Sequence, residues 1–318
     1  MVDSRSSVMD DLLLSVVIPT RDTRELTLGC LESLRGGGET PVDVIVIDDA
    51  SSDGTAEAIR AVYPEATVVE TGRNVGFSRA VNLGVKRTVG DVILVLNSDT
   101  EILEGALSAL MGAFADDWAL GIGGAELLDP DGSPQWRAGR WPSTLWLLTQ
   151  SSGLGSMANR LPGRHRVGSS GATRTGAVDW VSGAAMAVRR EVWETSGPFD
   201  VDYRFYCQDL DLCASAQKSG WSVAVVPGFG VLHHHGATIS EAEGASGTFH
   251  PAHLWADLVR FTEKHQGSEA ARRAALALGT GARLRLAGRA VAGVFSSDRD
   301  AWERETEAFR RGLEAITD

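Results

Sequence analysis

The sequence predicts an α/β protein: a mixed, mainly parallel sheet flanked by helices, followed by a C-terminal helical region. Three observations carry this reading. Apolar runs such as LLLSVVIP (Leu12 to Pro19), VDVIVID (Val42 to Asp48) and DVILVL (Asp91 to Leu96) are not interrupted by alternating polar residues, as expected of strands buried on both faces. Segments with helical spacing separate them. Beyond about Pro251 the chain reads as helix throughout.

The elements follow in order. After the first strand, Thr23 to Leu34 places Leu26, Cys30, Leu31 and Leu34 on one helical stripe. Val42 to Asp48 is the second strand, and Asp53 to Tyr63 a helix with Asp53 as N-cap. TVVE (Thr67 to Glu70) is a short strand, a helix covers Ser78 to Thr88, and Asp91 to Leu96 is the fourth strand. From about Gly121 to Ala177, Gly, Pro, Ser, Trp and Arg dominate, and the pattern predicts loops and short helices. Asp179 to Gly197 reads as a strand running into a helix, and Pro198 to Trp221 as a loop followed by an amphipathic helix. SVAVVP (Ser222 to Pro227) and GVLHHHGAT (Gly230 to Thr238) close the first unit. The expected organisation is a tail over 1–11, one large domain over 12–240 and a helical region over 241–318.

In a parallel sheet of this kind, ligands bind outside the carboxyl ends of the strands. Pro19-Thr20-Arg21-Asp22, Asp48 to Gly54, Gly72-Arg73-Asn74-Val75-Gly76 and Asn97-Ser98-Asp99-Thr100 each follow a strand, so all fall on one edge. Any one of them reads as turn or cap chemistry. Together, rich in acids and small residues, they predict a binding cleft.

Composition narrows the partners. A formal net charge of -12 argues against general nucleic-acid binding, which needs clustered Lys and Arg. A nucleotide ligand is not excluded. The 36 glycines imply many tight turns. Three scattered cysteines, Cys30, Cys207 and Cys213, give neither a disulfide framework nor a zinc site. The N-terminus lacks the layout of a signal peptide, and no apolar run reaches the roughly 18 residues of a membrane span. A cytoplasmic protein, at most attached to the inner face of the membrane, is the resulting expectation.

VVIPTRD, VIDDASSDGT, RNVGFSRAVNLG, LNSDT, DWVSGAAMAVRREV, GPFD, QDLDLC, GW and HHHGAT occur in this order. Their order and spacing resemble family 2 glycosyltransferases of the GT-A fold, a Rossmann-like architecture, and in particular the rhamnosyltransferase-like branch. The resemblance spans about Leu13 to Thr238. It implies inverting, metal-dependent transfer of a sugar from a nucleoside-diphosphate donor to an acceptor hydroxyl, with dTDP-rhamnose the leading donor and UDP-sugars next.

The resemblance also implies site residues. Asp99 answers to the metal-binding acid, serving Mn²⁺ or Mg²⁺, while Asn97 stands where the family's first acid is usual; Ser98 lies between them. A hard cation with oxygen ligands suits charge building on a departing diphosphate. His233 matches the family's late histidine, and His235, two residues along a strand, shares its side and stays open as a ligand. Asp209 matches the general base, with Gln208 in place of the usual Glu; Asp211 reads as a cap or loop support. Pro19, Thr20, Arg21 and Asp48 match the base-binding loops, with Asp49 the weaker of the acidic pair. Arg73 and Asn74 lie where the family meets base and phosphate, Gly76 allows close approach, and Asn82 is a weaker candidate. Trp180 reads either as a cover for a sugar face or as core, beside Ser182 and Gly183.

Between Ala270 and Ser297 there are arginines but no acid. Segment 272–295 therefore reads either as a basic amphipathic surface for anionic membrane or as helices packed on the domain or on a second subunit of a homodimer. The acceptor stays open among a lipid-linked saccharide, a growing polysaccharide and a small molecule. Two alternatives remain: a non-catalytic nucleotide-sugar-binding relative, to which Asn97 and Gln208 lend weight, and a sugar nucleotidyltransferase, for which the chain lacks a Gly- and Lys-rich N-terminal loop. No Gly-x-Gly-x-x-Gly follows the first strand, so an oxidoreductase is poorly supported.

Overall fold

The computed structural model describes residues 12–36, 42–154, 176–234, 251–292 and 299–317. In chain order the elements are β1 (Leu14–Thr20), α1 (Arg24–Gly36), β2 (Val42–Asp48), α2 (Thr55–Val62), β3 (Thr67–Glu70), α3 (Phe77–Val85), β4 (Val92–Leu96), β5 (Thr100–Ile102), α4 (Ala106–Asp116), β6 (Leu120–Leu128), β7 (Ala138–Gly139) and α5 (Thr144–Ser152). There follow β8 (Gly176–Ala177), β9 (Trp180–Val181), β10 (Ala185–Arg189), α6 (Arg190–Thr195), α7 (Gln208–Lys218), β11 (Ser222–His233), α8 (Pro251–Gln266), α9 (Ser268–Ala292) and α10 (Arg299–Glu314). The chain divides into two compact units. The first is Met1–Ala138, Ala172–Val201 and Asp209–Thr248; the second is Gly139–Gly171, Asp202–Gln208 and Phe249–Asp318. The second unit thus takes in two segments from within the expected large domain.

The first unit is built on a nine-stranded sheet with the order β3-β2-β1-β4-β10-β6-β11-β5 and β8 paired to β11. Strands β3, β2, β1 and β4 run parallel, with Thr20 opposite Asp48 and Asp48 opposite Glu70. The carboxyl ends of these strands therefore share one edge, as the sequence predicts. Strand β10 enters antiparallel to both β4 and β6, which makes the sheet mixed. One face packs Leu14, Val16 and Ile18 against Cys30 and Leu31 of α1, Ile59 of α2 and Leu107, Leu110 and Phe114 of α4. On the other face, Ile45 and Ile47 meet Ala80 of α3. Covering both faces is why these strands read as unbroken apolar runs.

Three local expectations are corrected. Leu120–Leu128 is a buried central strand rather than a loop. Its glycines hid it, and each is needed for packing. A Cβ at Gly121 would meet Trp221 and Val192, one at Gly123 would meet Val226 and Phe114, and one at Gly124 would meet Val181. The two segments expected at the end of the unit are one strand, β11, which carries register shifts against β6 instead of breaking. Asp53 is not the N-cap of α2; Gly54 holds that position with φ 79°, and Asp53 instead accepts from the Thr55 and Arg24 amides.

Arg189, at the end of β10, is fully buried. It donates to the carbonyls of Phe114, Asp117 and Leu120, and its guanidinium lies over the rings of Phe114 and Trp118. The cation thereby satisfies carbonyls at the C-terminal end of α4. Burial pushes its pKa down from the usual arginine value.

In the second unit, α5, α8, α9 and α10 pack on one another. A Cβ at Gly281 of α9 would meet Ser151 and Leu148 of α5, so that contact is close. Trp255 of α8 meets Phe309 of α10 edge to face. The arginines of α9 qualify the amphipathic reading of 272–295. Arg289 is buried, lies 3.7 Å over the Trp302 ring and donates to Thr306 and to the Trp302 carbonyl; Arg285 stacks on Phe309. Arg273 pairs with Glu269. Arg285 and Arg289 are therefore spent on internal packing, while Arg272, Arg273 and Arg283 are exposed. Residues 293–295 of that stretch lie outside the described residues. Among the described residues no helix is long and apolar enough to cross a membrane.

Gly124→Ala is expected to destabilise the protein by about 1–3 kcal/mol, because the added methyl must displace Val181. Gly112→Ala, at an exposed position of α4 with open space around it, is expected to stabilise by about 0.4–1 kcal/mol. Urea midpoints at unchanged slope measure both. Equal midpoints for the two variants would contradict the packing account.

Candidate functional site

The turn from β4 to β5 builds the first half of the site. Strand β4 is buried along its whole length, and the Asn97 amide donates to the Ala184 carbonyl at its end. Asp99 is buried, and its Oδ1 faces Nε2 of His233, at the end of β11, at 3.4 Å. The two meet because β5 pairs with β11, with Thr100 opposite His233 and the His234 amide donating to the Asp99 carbonyl.

Gln135 orients the histidine. Its Nε2 donates to the His233 carbonyl and to Asp129 Oδ1, which leaves its Oε1, 2.9 Å from His233 Nδ1, as the acceptor. The proton then sits on Nδ1, and the Nε2 lone pair is aimed at the Asp99 carboxylate. Two lone-pair groups facing each other call for a cation or for a second imidazole proton between them. A separation of 3.4 Å suits two ligands of one cation bonded at about 2.1 Å. Among the described residues no group of three or more His, Cys, Asp and Glu side chains clusters, so any such cation takes two side chains here and the rest of its shell from elsewhere. His234 turns the other way, to Glu101 at 2.8 Å, and His235 lies outside the described residues.

The second half of the site is one peptide away. Ala184, which accepts from Asn97, follows Gly183, whose amide donates to Asp209 Oδ2 at 2.9 Å. Asp209 sits in the first turn of α7, and its Oδ1 accepts from the Leu210 amide. Burial pushes the Asp209 carboxyl above the usual carboxylate range, against the lowering effect of its backbone hydrogen bonds from Gly183 and Leu210. Ala at position 183 would bring a methyl to 3.4 Å of the Asp209 Cβ, so the small residue belongs to the seat of the acid. The Ser182 hydroxyl accepts from the Ala184 amide, closing the same turn.

The remaining strand ends sort by what their side chains already hold. Asp48 is buried at the end of β2, where its Oδ1 accepts from the Ser51 amide. Asp49 takes the Val75 and Gly76 amides and the Thr71 hydroxyl, so its carboxylate organises the third loop. Gly76 has φ 85°, the turn that opens α3, and Arg73 and Asn74 are exposed on that loop. Pro19 is half-buried and Arg21 lies 3.6 Å from Asp22. Non-glycine residues with positive φ, Asp22 and Ala50, mark the first two loops as locally strained.

Several candidates look inward rather than toward the edge. Thr20 and Ser98 are buried in a hydroxyl cluster with Thr23 and Thr27. Both ends of the Asn82 amide are taken by the backbone of Phe199, so Asn82 ties α3 to the loop after α6. Trp180 is buried, with Trp136 edge to face at 4.8 Å and half exposed. Of this ring pair, Trp136 is the exposed member. The sequence reading missed both Trp136 and Gln135, which lie in the Gly- and Pro-rich stretch; the only signal was an amide and an aromatic adjacent in QWR. Burial holds the Cys30 thiol up at about 12 and pushes that of Cys213 up as well, which leaves both poor nucleophiles.

Comparisons with known proteins bear on the family and the fold. The family model described as glycosyl transferase family 2 matches residues 15–179. The N-acetylglucosaminyl-diphospho-decaprenol L-rhamnosyltransferase of Mycobacterium tuberculosis is 31% identical over 261 residues, covering 74% of this chain and 80% of the relative. The GalNAc(5)-diNAcBac-PP-undecaprenol beta-1,3-glucosyltransferase of Campylobacter jejuni is 27% identical over 124 residues, 38% of this chain and 40% of that protein. Among solved structures, a mannosyltransferase of Pyrobaculum calidifontis, in complex with GDP-Man and Mn²⁺, superposes with a TM-score of 0.57 at 17% identity, covering 96% of this chain and 86% of that one. TarS of S. aureus superposes with a TM-score of 0.53 at 14% identity, covering 96% of this chain and 81% of that one. The chain belongs to glycosyl transferase family 2, and it is a glycosyltransferase of the GT-A fold.

Proposed function

We propose that the enzyme is an inverting, metal-dependent rhamnosyltransferase acting on a lipid-linked saccharide, with Asp209 as general base. The observation that carries this reading is the residue pair Gly183 and Ala184, the Ala184 carbonyl and the Gly183 N–H being the groups used. It accepts from Asn97 on one side and donates to Asp209 on the other, bracketing one strand end with the base and the Asp99–His233 pair. The donor is read as dTDP-rhamnose and the acceptor as an N-acetylglucosaminyl diphospho-polyprenol. Support comes from the 31% identical relative, whose name specifies an L-rhamnosyl group and a diphospho-decaprenol acceptor.

In this reading Asp48 and the Pro19–Arg21 loop hold the nucleotide base, and Arg73 and Asn74 line the path to the phosphates. Ser182 and Gly183 leave room for the sugar, and Trp136 offers it an apolar face. Asp209 takes the acceptor hydroxyl proton as the new bond to the anomeric carbon forms and the bond to the diphosphate oxygen breaks on the opposite face. The electron pair of that bond leaves with the diphosphate. The elevated Asp209 pKa makes it a stronger base than an ordinary aspartate. Asp99 and His233 would hold Mn²⁺ or Mg²⁺, which when bound supplies positive charge beside the leaving diphosphate. Asn97 in place of a second acid leaves more of the cation's shell to the donor phosphates.

Three measurements check the reading. Asp209→Asn is expected to lower turnover by about 10²- to 10⁴-fold, with dTDP-rhamnose binding retained. Transfer at the wild-type rate would move the base elsewhere. In wild type, kcat should rise with pH through the Asp209 pKa, because the protonated acid cannot accept a proton. Its acid limb should lie above pH 4, the region of an ordinary aspartate, and a limb at or below it contradicts the assignment. Gln135→Leu should weaken Mn²⁺ binding, titrated calorimetrically in the presence of dTDP, by about 10–100-fold while leaving the fold intact. Unchanged affinity removes His233 as an oriented ligand.

A further inference from the structure

One face of helix α9 is left uncovered among the described residues. Its buried side meets α5, where Gly281 lies against Ser151 and Leu148. Its outward side presents Arg272, Arg273, Leu276, Thr280, Arg283 and Leu284, and the exposed residues that follow, as far as Ala290, are alanine and glycine. At about 100° per residue the six positions fall within an arc of about 120°, and at about 1.5 Å per residue they run about 18 Å along the axis. Leu276 is 69% and Leu284 57% exposed.

The charge pattern sets this face apart. Helix α10 shows how a solvated helix of the same unit is built. Its exposed Glu303, Arg304, Glu307, Arg310, Arg311 and Glu314 interleave the two signs, and Glu307 pairs with Arg310 and Arg311. Helix α9 does not follow that pattern. Between Ala270 and Ser297 no acid occurs, although the chain carries a formal net charge of -12. Arg273 pairs with Glu269 at the start of the helix. Arg272 and Arg283 are exposed and pair with no acid among the described residues.

The mixture selects its partner. A purely ionic surface has no use for Leu276 and Leu284, and a purely apolar one would bury unpaired arginines at a cost. An anionic bilayer takes both. Long arginine stems let the guanidinium groups stand among the lipid phosphates while the leucines enter the acyl boundary below. We infer that the exposed face of α9 is a docking surface for an anionic phospholipid bilayer, held by Arg272 and Arg283 at the headgroups and by Leu276 and Leu284 beneath them. Few charges take part, so the attachment is peripheral and weakens with salt. The surface stands on its own observations. The polyprenol-linked acceptor of the proposed reaction gives it a use, because such a substrate is itself confined to a bilayer.

Co-sedimentation of the full chain with vesicles is the test, using phosphatidylcholine alone and phosphatidylcholine with about one-third phosphatidylglycerol. Wild type is expected to pellet with the anionic vesicles at low salt, to be released at high salt, and to ignore the neutral ones. Arg272→Gln with Arg283→Gln should weaken partitioning by about 10–30-fold. Leu276→Gln with Leu284→Gln should weaken it by about 10-fold. Urea midpoints at the wild-type value check that both variants fold. No binding by wild type, equal binding to neutral vesicles, or binding that neither pair of substitutions weakens overturns the proposal. So does a dimer in lipid-free solution that the leucine substitutions dissociate, since a second copy would then cover this face. A wild type that binds anionic vesicles yet transfers no sugar to any polyprenol-linked acceptor keeps the surface and removes the acceptor reading, so the two failures are told apart.

Discussion

Strand β4 is sealed on both faces from Val92 to Leu96, so it can present chemistry only where it ends. The rest of the molecule follows from that constraint. Its parallel neighbours β1, β2 and β3 end on the same edge, and the polar residues of their loops collect there. The antiparallel strand β10 begins at that edge, and this brings the Gly183–Ala184 peptide against the end of β4. Strand β11 arrives beside β5 and delivers His233 to Asp99. Asp209, the Asp99–His233 pair and the loops proposed to hold the nucleotide are thus gathered by strand directions rather than by nearness in sequence.

The site is strongly buried. Asp99, His233 and Asp209 lie within or near a low-dielectric interior, where a charge without compensation is expensive. The fold compensates Asp209 with backbone amides and leaves its proton affinity raised. It aims the His233 lone pair at Asp99 through Gln135. In the proposed site both arrangements would trade stability for readiness to react. The positive-φ residues Asp22, Ala50 and Cys207 fit the same pattern, since each lies in a loop at or just before a proposed functional group.

The parallel half of the sheet could be read from sequence because burial on both faces leaves an unbroken apolar run. Strand β6 could not, because packing against Trp221, Phe114 and Val181 requires glycine where a strand would ordinarily show Val or Ile. Asp48 and Asp49 are indistinguishable as adjacent letters; only the three donors gathered on Asp49 separate a loop organiser from a group facing the edge. His233 was singled out through family resemblance alone. The contacts of Gln135 and Trp136 were not legible at all, since their partners lie far away in the chain, and neither periodicity nor local motif encodes such contacts. Trp180, readable from its type either as a sugar-face cover or as core, is buried.

The claim on which the account turns is that Asp99, His233 and Asp209 serve one anomeric carbon. Anomalous diffraction at the manganese edge, from crystals grown with Mn²⁺ and a non-hydrolysable dTDP-rhamnose analogue, tests it most directly. The account predicts a single manganese peak at about 2.0–2.3 Å from both the Asp99 carboxylate and His233 Nε2. The sugar C1 should lie between that ion and Asp209. A manganese site away from Asp99, or a sugar whose anomeric carbon faces away from Asp209, would contradict it.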